Sequence, residues 1–195
     1  MTEKEKMLSG KPYQAFEKEL IEERRQAKIK VFEFNRLHPN ELGKGKEILK
    51  SLLGQSGDGV HIEAPFRCDY GYNIEIGHHF FSNYNLVILD CAKVKFGNHV
   101  FIGPNVGIYT AGHPTHHEMR NQEYEHAHDI TIGDNVWIGG NVVINGGVHI
   151  GDNCVIGSGS VVTKDVPTNS IAFGNPCRVM RKISEKDREE YLKQI

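Results

Sequence analysis

An aliphatic side chain recurs at every sixth position over a long stretch of the chain: Ile132, Ile138, Ile144, Ile150, Ile156 and Val162. Glycine follows it at positions 133, 139, 151 and 157. A shorter set, Phe96, Ile102 and Ile108, carries Gly97 and Gly103, and Ile76-Gly77 begins an earlier, less regular stretch. Four positions after most leading residues stands a second small or β-branched side chain, as at Val100, Val106, Val136, Val142, Val148, Cys154, Ser160 and Val166. This period is neither the 3.6 of a helix nor the alternation of a half-buried strand. It suits one short strand plus one corner, with the leading aliphatic pointing into a narrow core and glycine where the chain must turn. Stacked corners then bury an apolar column that no single repeat could bury alone. A β-sandwich is the competing fold, but its strands are longer and recur every ~8–12 residues. The expected fold is therefore mainly β, a parallel β-helix of hexapeptide repeats.

The repeat accounts for residues 57–182. Residues 1–56 read instead as a helical cap. The run from Phe16 to Ala27 holds strong helix formers without Gly or Pro. Leu20, Ala27, Val31 and Phe34 recur at roughly helical spacing, His38-Pro39-Asn40 interrupts, and a second short helix over Glu47–Leu53 ends at Gly54. Residues 183–195 form a short amphipathic helix candidate that Ser184 and Asp187 can cap. Between Ile108 and Ile132 the repeat breaks for a polar loop, residues 109–131, that contains Ala111-Gly112-His113-Pro114, His116, His117 and Glu125. A long polar loop on a rigid solenoid is usually where function sits.

Composition narrows the function. A net charge of -2 leaves no basic footprint for nucleic acid and no polybasic membrane patch. No apolar stretch has the length of a membrane span, and the charged N-terminus has no signal-peptide core. The four cysteines, at 68, 91, 154 and 177, match no zinc or redox spacing. Reduced thiols and a cytoplasmic setting are expected.

The hexapeptide ladder, the AGHP loop and the run Gly174-Asn175-Pro176-Cys177-Arg178-Val179 together resemble the maltose and galactoside O-acetyltransferases. The N-terminal stretch from Glu3 to Asn35 resembles the helical cap of the same enzymes, so the resemblance spans nearly the whole chain. It implies a left-handed β-helix with three hexapeptides per turn and a homotrimer with active sites between subunits. It further implies acetyl-CoA as donor, a sugar hydroxyl as acceptor and no metal.

An alcohol needs a base to take its proton as it attacks a thioester, and histidine titrates in the useful range. By the resemblance that base is His113, acting by direct transfer without an acyl-enzyme, and Glu125 is the carboxylate that holds its other ring nitrogen. Asn83 and Asp69 match acceptor-site positions of the family. Cys91 stands where the galactoside enzymes bind sugar with an aspartate, and Glu17 lies near the place where an acidic cap residue reaches the acceptor. Gly140 replaces a serine that donates to the oxyanion, which leaves a backbone N–H for that task. For coenzyme A, Trp137 is a packing surface for the pantetheine arm, and Gly139, Gly157 and Gly159 permit close approach. Ser158 and Thr163 lie further along the same edge, and Lys164, Arg178 and Arg181 suit the phosphates. Three rivals stand beside this reading: a hexapeptide acetyltransferase with a non-sugar acceptor, a γ-carbonic-anhydrase-like zinc β-helix, and a silent scaffold.

Overall fold

A computed structural model of the protein describes residues 1–195. Most of the chain winds through three sheets that wall one apolar interior, parallel except for the last strand, Arg178–Lys182, which pairs antiparallel. One coil illustrates the path. Val94–Phe96 lies in a five-stranded second sheet, Phe101–Ile102 in a seven-stranded third sheet, and Gly107–Tyr109 in a five-stranded first sheet. Each strand pairs in register with the one a coil below: Ile132 with Ile150, Ile138 with Ile156, Ile144 with Val162. Every leading aliphatic of the sequence pattern is buried, and so are Val100, Val106, Val136, Val142, Val148 and Cys154. The β-helix and its flanking helices agree with the expected fold class.

The departures from six follow one rule. Residues one coil apart are 18 positions apart at Asp134 and Asp152, but 20 apart in the coils before. They are 36 apart across the polar loop and 16 apart in the last coil. The other two corners keep six throughout, so every insertion and the final deletion fall on the corner that follows the first sheet. There lie residues 69–73, 90–93, 110–129 and 163–165. The irregular stretch before Phe96 is thus regular helix with a longer corner. Val166 closes the shortened corner and bridges Ile150, in the place of a leading residue.

The structure corrects the expected role of the repeat glycines. Gly77, Gly97, Gly133 and Gly151 do not hold left-handed backbone; that conformation falls to His79, His99, Asn135, Asn153 and Asn169. Asparagine tolerates it best among non-glycine residues. The amides also stack, Asn135 donating to Asn153 at 3.0 Å and Asn153 to Asn169 at 2.9 Å. Glycine is required because the coils touch: a Cβ on Gly77 would lie 2.7 Å from the carbonyl carbon of Gly97, and one on Gly97 2.7 Å from that of Gly133.

Three helices close the upper end: α1 (Glu3–Leu8), α2 (Lys18–Asn35) and α3 (Leu42–Leu52). Ala27, Val31 and Phe34 of α2, with Leu49 and Leu52 of α3, join the solenoid core, so the cap plugs an otherwise open end. Asn35 fastens α2 to the top strand, donating to the Phe66 carbonyl and accepting from its N–H, both at 2.8 Å. The first solenoid strand, Gln55–Ser56, begins just before the expected boundary at 57. Of the remaining helices, α4 (His117–Asn121) lies in the polar loop and α5 (Glu185–Leu192) ends the chain. Asp187 accepts from the Ser184 N–H at 2.8 Å as expected, yet α5 is not amphipathic: its apolar residues form no separate face and none of its residues is buried. No helix is long and apolar enough to cross a membrane.

Close coil contact predicts that Gly97→Ala overpacks the second corner. It should cost ~1–3 kcal/mol, read from the urea midpoint. An unchanged midpoint would show that the coils have slack there.

Candidate active site

The polar loop does not project freely. Ala111–Gly112 pairs antiparallel with Tyr124–Ala127, and that strand pairs on its other edge with Tyr13–Gln14 of the cap. A small three-stranded sheet thus stands on the long corner, built from two loop strands and one strand of the N-terminus. Ala127 and Tyr13 are buried beneath it with Met7, Ala15, Leu20, Tyr70, Cys91 and Ala92, a second apolar cluster separate from the main core. Gly112 is needed for closeness, not for an unusual angle: a Cβ there would lie 2.8 Å from Nε2 of His126.

His113 follows directly on the edge strand, and its side chain is 56% exposed. Its Nε2 faces Oε1 of Glu125 at 3.9 Å, an ion-pair distance beyond a direct hydrogen bond. The Glu125 side chain is only 18% exposed, and its other oxygen accepts from the Tyr13 hydroxyl at 2.7 Å. Burial, then the neighbouring His128 and His113, hold the His126 imidazole below its ordinary range. His116 and His117 stack on each other at the exposed start of α4.

Asp69 and Cys91 meet one coil apart at the same corner, the Cys91 thiol donating to Oδ2 of Asp69 at 3.7 Å. Burial raises the Asp69 carboxyl above its usual range, partly offset by Arg24. Burial likewise pushes the Cys91 thiol up to about 12, so it stays protonated and serves as a donor. Arg24 is held by the Tyr70 hydroxyl and the Ala15 carbonyl, both at 2.6 Å. Asp69 also lines a hollow of about 450 Å³ between α2 and the first sheet, which Lys28, Arg36 and Arg67 border. Asp90 is fully buried. It accepts from the N–H groups of Asp69, Tyr70 and Gly71 at 2.9, 2.9 and 2.7 Å, and so holds the corner. Glu17 caps α2, accepting from the Glu19 N–H at 2.8 Å.

The remaining site residues lie elsewhere. Trp137 is exposed on the outer face of the third sheet, in register below Phe101 and Phe81. With Asn83 and Gly103 these rings line a hollow of about 410 Å³. Asn83, Gly103, Gly139, Gly140 and Ser158 stack along the edge where the chain leaves the third sheet. A Cβ on Gly139 would meet the Ser158 backbone at 2.7 Å, and one on Gly157 the Phe173 side chain at 2.8 Å, so these two glycines serve coil packing. Gly159, in contrast, faces open space. Arg178, paired in register with Phe173, ends the same edge. Arg181 forms a two-pronged pair with Asp187 at 2.5 and 2.9 Å. Thr163 and Lys164 are exposed at the foot of the other corner. The chain therefore gathers His113, Glu125, Asp69 and Cys91 at one corner, and Trp137, Asn83, Gly139, Gly140, Ser158 and Arg178 along another edge. No group of three or more His, Cys, Asp or Glu side chains is placed to hold a metal ion.

Sequence reasoning passed over Tyr13, Arg24 and Tyr70. Tyr13 and Glu125 are 112 positions apart, and neither carries a motif that points to the other.

A capped hexapeptide solenoid with an inserted histidine loop defines a class of transferases, and comparison with known proteins agrees. Residues 6–57 match the maltose acetyltransferase hexapeptide capping motif, and residues 129–164 match the bacterial transferase hexapeptide, six repeats. The galactoside O-acetyltransferase of Escherichia coli is 45% identical over 97% of this chain and 93% of its own length. A crystal structure of a maltose O-acetyltransferase from Clostridium difficile superposes with a TM-score of 0.93 at 51% identity, covering 94% of this chain and 98% of that one. A galactoside acetyltransferase in complex with coenzyme A gives 0.94 at 45% identity, covering 96% and 94%. The chain belongs to the maltose/galactoside O-acetyltransferase family.

Burial raises the Asp90 carboxyl to about 6, against the pull of its backbone N–H donors. A raised folded pKa means that folding favours the protonated acid. The associated stability is complete below ~4, the unfolded value, and is lost as pH rises through about 6. The stability difference between the wild type and Asp90→Asn should therefore move against the wild type from pH 4 to pH 7, as read from urea midpoints. A difference that moves the other way would mean that the N–H donors outweigh burial.

Proposed function

We propose that this chain transfers acetyl from acetyl-CoA to a sugar hydroxyl, with His113 as general base. The observation that carries the reading is the loop sheet, which sets the exposed His113 imidazole against the half-buried Glu125 carboxylate. In this reading Nε2 of His113 is held by Glu125, and Nδ1 takes the proton of the acceptor hydroxyl as its oxygen attacks. As the new C–O bond forms, the thioester C–S bond of acetyl-CoA breaks, and coenzyme A leaves as the thiol with the proton returned from the imidazole. Asp69, with Cys91 donating to its other oxygen, accepts from the acceptor's hydroxyls.

The donor's needs match the third-sheet edge. Coenzyme A brings an apolar arm and an anionic end. The exposed rings of Phe101 and Trp137, with the half-buried ring of Phe81, offer the first a surface, and Gly159 leaves open room. Arg178 suits the second; Arg181 would first have to leave Asp187, and Lys164, at the foot of the other corner, lies away from this edge. The solved galactoside acetyltransferase is in complex with coenzyme A, which supports the same donor here. Glu17 has a capping role in this structure, so the acceptor contacts proposed here rest on Asp69, Cys91 and Asn83.

The two halves of the site sit at opposite ends of the first sheet. The four-residue strand Leu86–Leu89 spans ~13 Å at ~3.3 Å per residue, whereas reacting atoms must approach to ~3–3.5 Å. We therefore propose that the third-sheet edge of one copy meets the histidine corner of the next, and that a homotrimer closes three such sites.

An acetyl-CoA assay with a panel of neutral, acidic and amino sugars tests the reading. His113→Ala should lower kcat by ~10²–10⁴-fold with the fold intact by circular dichroism. Equal turnover by both proteins with every acceptor would remove the base assignment. A monomer by light scattering that still turns over would remove the shared site.

A further inference from the structure

The N-terminal cap reaches into the proposed catalytic corner through one side chain. Tyr13 sits on the cap strand directly opposite Glu125 in the register, and it is fully buried. Its hydroxyl is the only hydrogen-bond donor to the Glu125 carboxylate, at 2.7 Å. Burial and the carboxylate raise the Tyr13 phenol far above its ordinary range, so it never ionises and remains a donor. Cys91 belongs to the same apolar cluster as Tyr13 and donates to Asp69. A polar chain thus runs from His113 through Glu125 to Tyr13, where it ends in the second apolar cluster.

A carboxylate with one free oxygen could rotate about its terminal torsion, which is soft and broad. Fixing one oxygen in a dry pocket fixes the other. The free oxygen here is the one that faces His113. A hydrogen bond to an ionised group in such a setting is stronger than one in water. Tyr13 cannot itself reach the imidazole, because Glu125 stands between them.

We infer that Tyr13 is a positioning residue: it locks the Glu125 carboxylate in the orientation that holds His113, and so makes the helical cap part of the catalytic apparatus. This rests on His113 being the base. It assigns the cap a task besides closing the core. The strand Tyr13–Gln14 is the only cap element hydrogen-bonded to the loop sheet, and it brings the hydroxyl to the one carboxylate beside the histidine.

The test is a double-mutant cycle on the full-length enzyme with acetyl-CoA and its best acceptor. Tyr13→Phe removes one oxygen and keeps the ring. It should lower kcat by about 10- to 150-fold, the span of one charge-assisted hydrogen bond, with the KM for acetyl-CoA within about twofold of wild type. Glu125→Gln should cost at least as much. In the Glu125→Gln background, adding Tyr13→Phe should change kcat by less than about twofold, since residues acting as one unit are not additive. Replacing Tyr13 with 4-aminophenylalanine keeps the ring and restores a donor, and should recover most of the lost kcat. That variant also decides the matter should the phenylalanine disturb the cap. Additive losses, no rescue by the amine, or wild-type kcat in Tyr13→Phe beside an impaired Glu125→Gln would each overturn the inference. A wild-type Glu125→Gln beside an inactive His113→Ala would also overturn it and leave the base standing. An active His113→Ala would instead mean that the reading beneath it had failed.

Discussion

Everything in this molecule depends on how closely one coil lies on the next. Parallel backbone bonds join each coil to its neighbour on three sides, as Gly97 to Ile132, Phe101 to Val136 and Gly107 to Val142. Contact that close leaves no room for a Cβ at Gly77 or Gly97. It also brings Ile102, Ile138 and Ile156 into one continuous column at the centre. Burial of such side chains stabilises by about 1.5–3 kcal/mol each, but only while the column is unbroken and its end is closed. The cap helices are therefore structural before they are anything else.

The same tightness decides where variation can occur. Two corners are pinned by left-handed Asn or His residues and, in several coils, by amide ladders, so an extra residue there would break the stack. The third corner has no such ladder. It is held instead by side chains reaching across it. Asp90 takes three N–H groups, Thr110 accepts from Ala92 at 3.0 Å and donates to Leu89 at 2.6 Å, and Asp129 accepts from Lys93 at 3.0 Å. A corner tied by side chains admits length, and that is where the histidine loop entered. The proposed chemistry is placed there because it is the one corner where the solenoid tolerates irregular backbone.

What the sequence shows and hides follows from this division. The period of six exposes the coils because each repeat meets an equivalent environment, so the pattern survives without any knowledge of partners. The corner residues have no repeated environment. Glu17 carries the charge of a ligand contact, but local geometry uses it to cap α2. Arg181 has the charge for a phosphate, but a carboxylate six residues on takes it first. Glycine was visible as periodic, while its reason, contact between coils and not chain reversal, required the neighbouring coil to be seen. Tyr13 was invisible altogether. In sequence it is one aromatic in a short polar stretch, and only the pairing with residues 124–127 gives it a partner.

The placement of the two half-sites bears on how such a scaffold does chemistry. A solenoid is stiff, so residues at different corners of one chain cannot be brought together by bending it. Reaction geometry must come from a rigid second surface presented by another copy, or from the loop. The loop here is not free to swing, because its central strand is bonded on both edges and Ala127 is buried beneath it. Stiffness in both elements favours preorganisation, in which little freedom is left to lose when substrates arrive. It also fixes where specificity can change without loss of the fold. Asp69 and Cys91 face each other across two coils of the tolerant corner, so in the proposed reading exchange of either side chain alters what the acceptor meets and leaves the core column untouched.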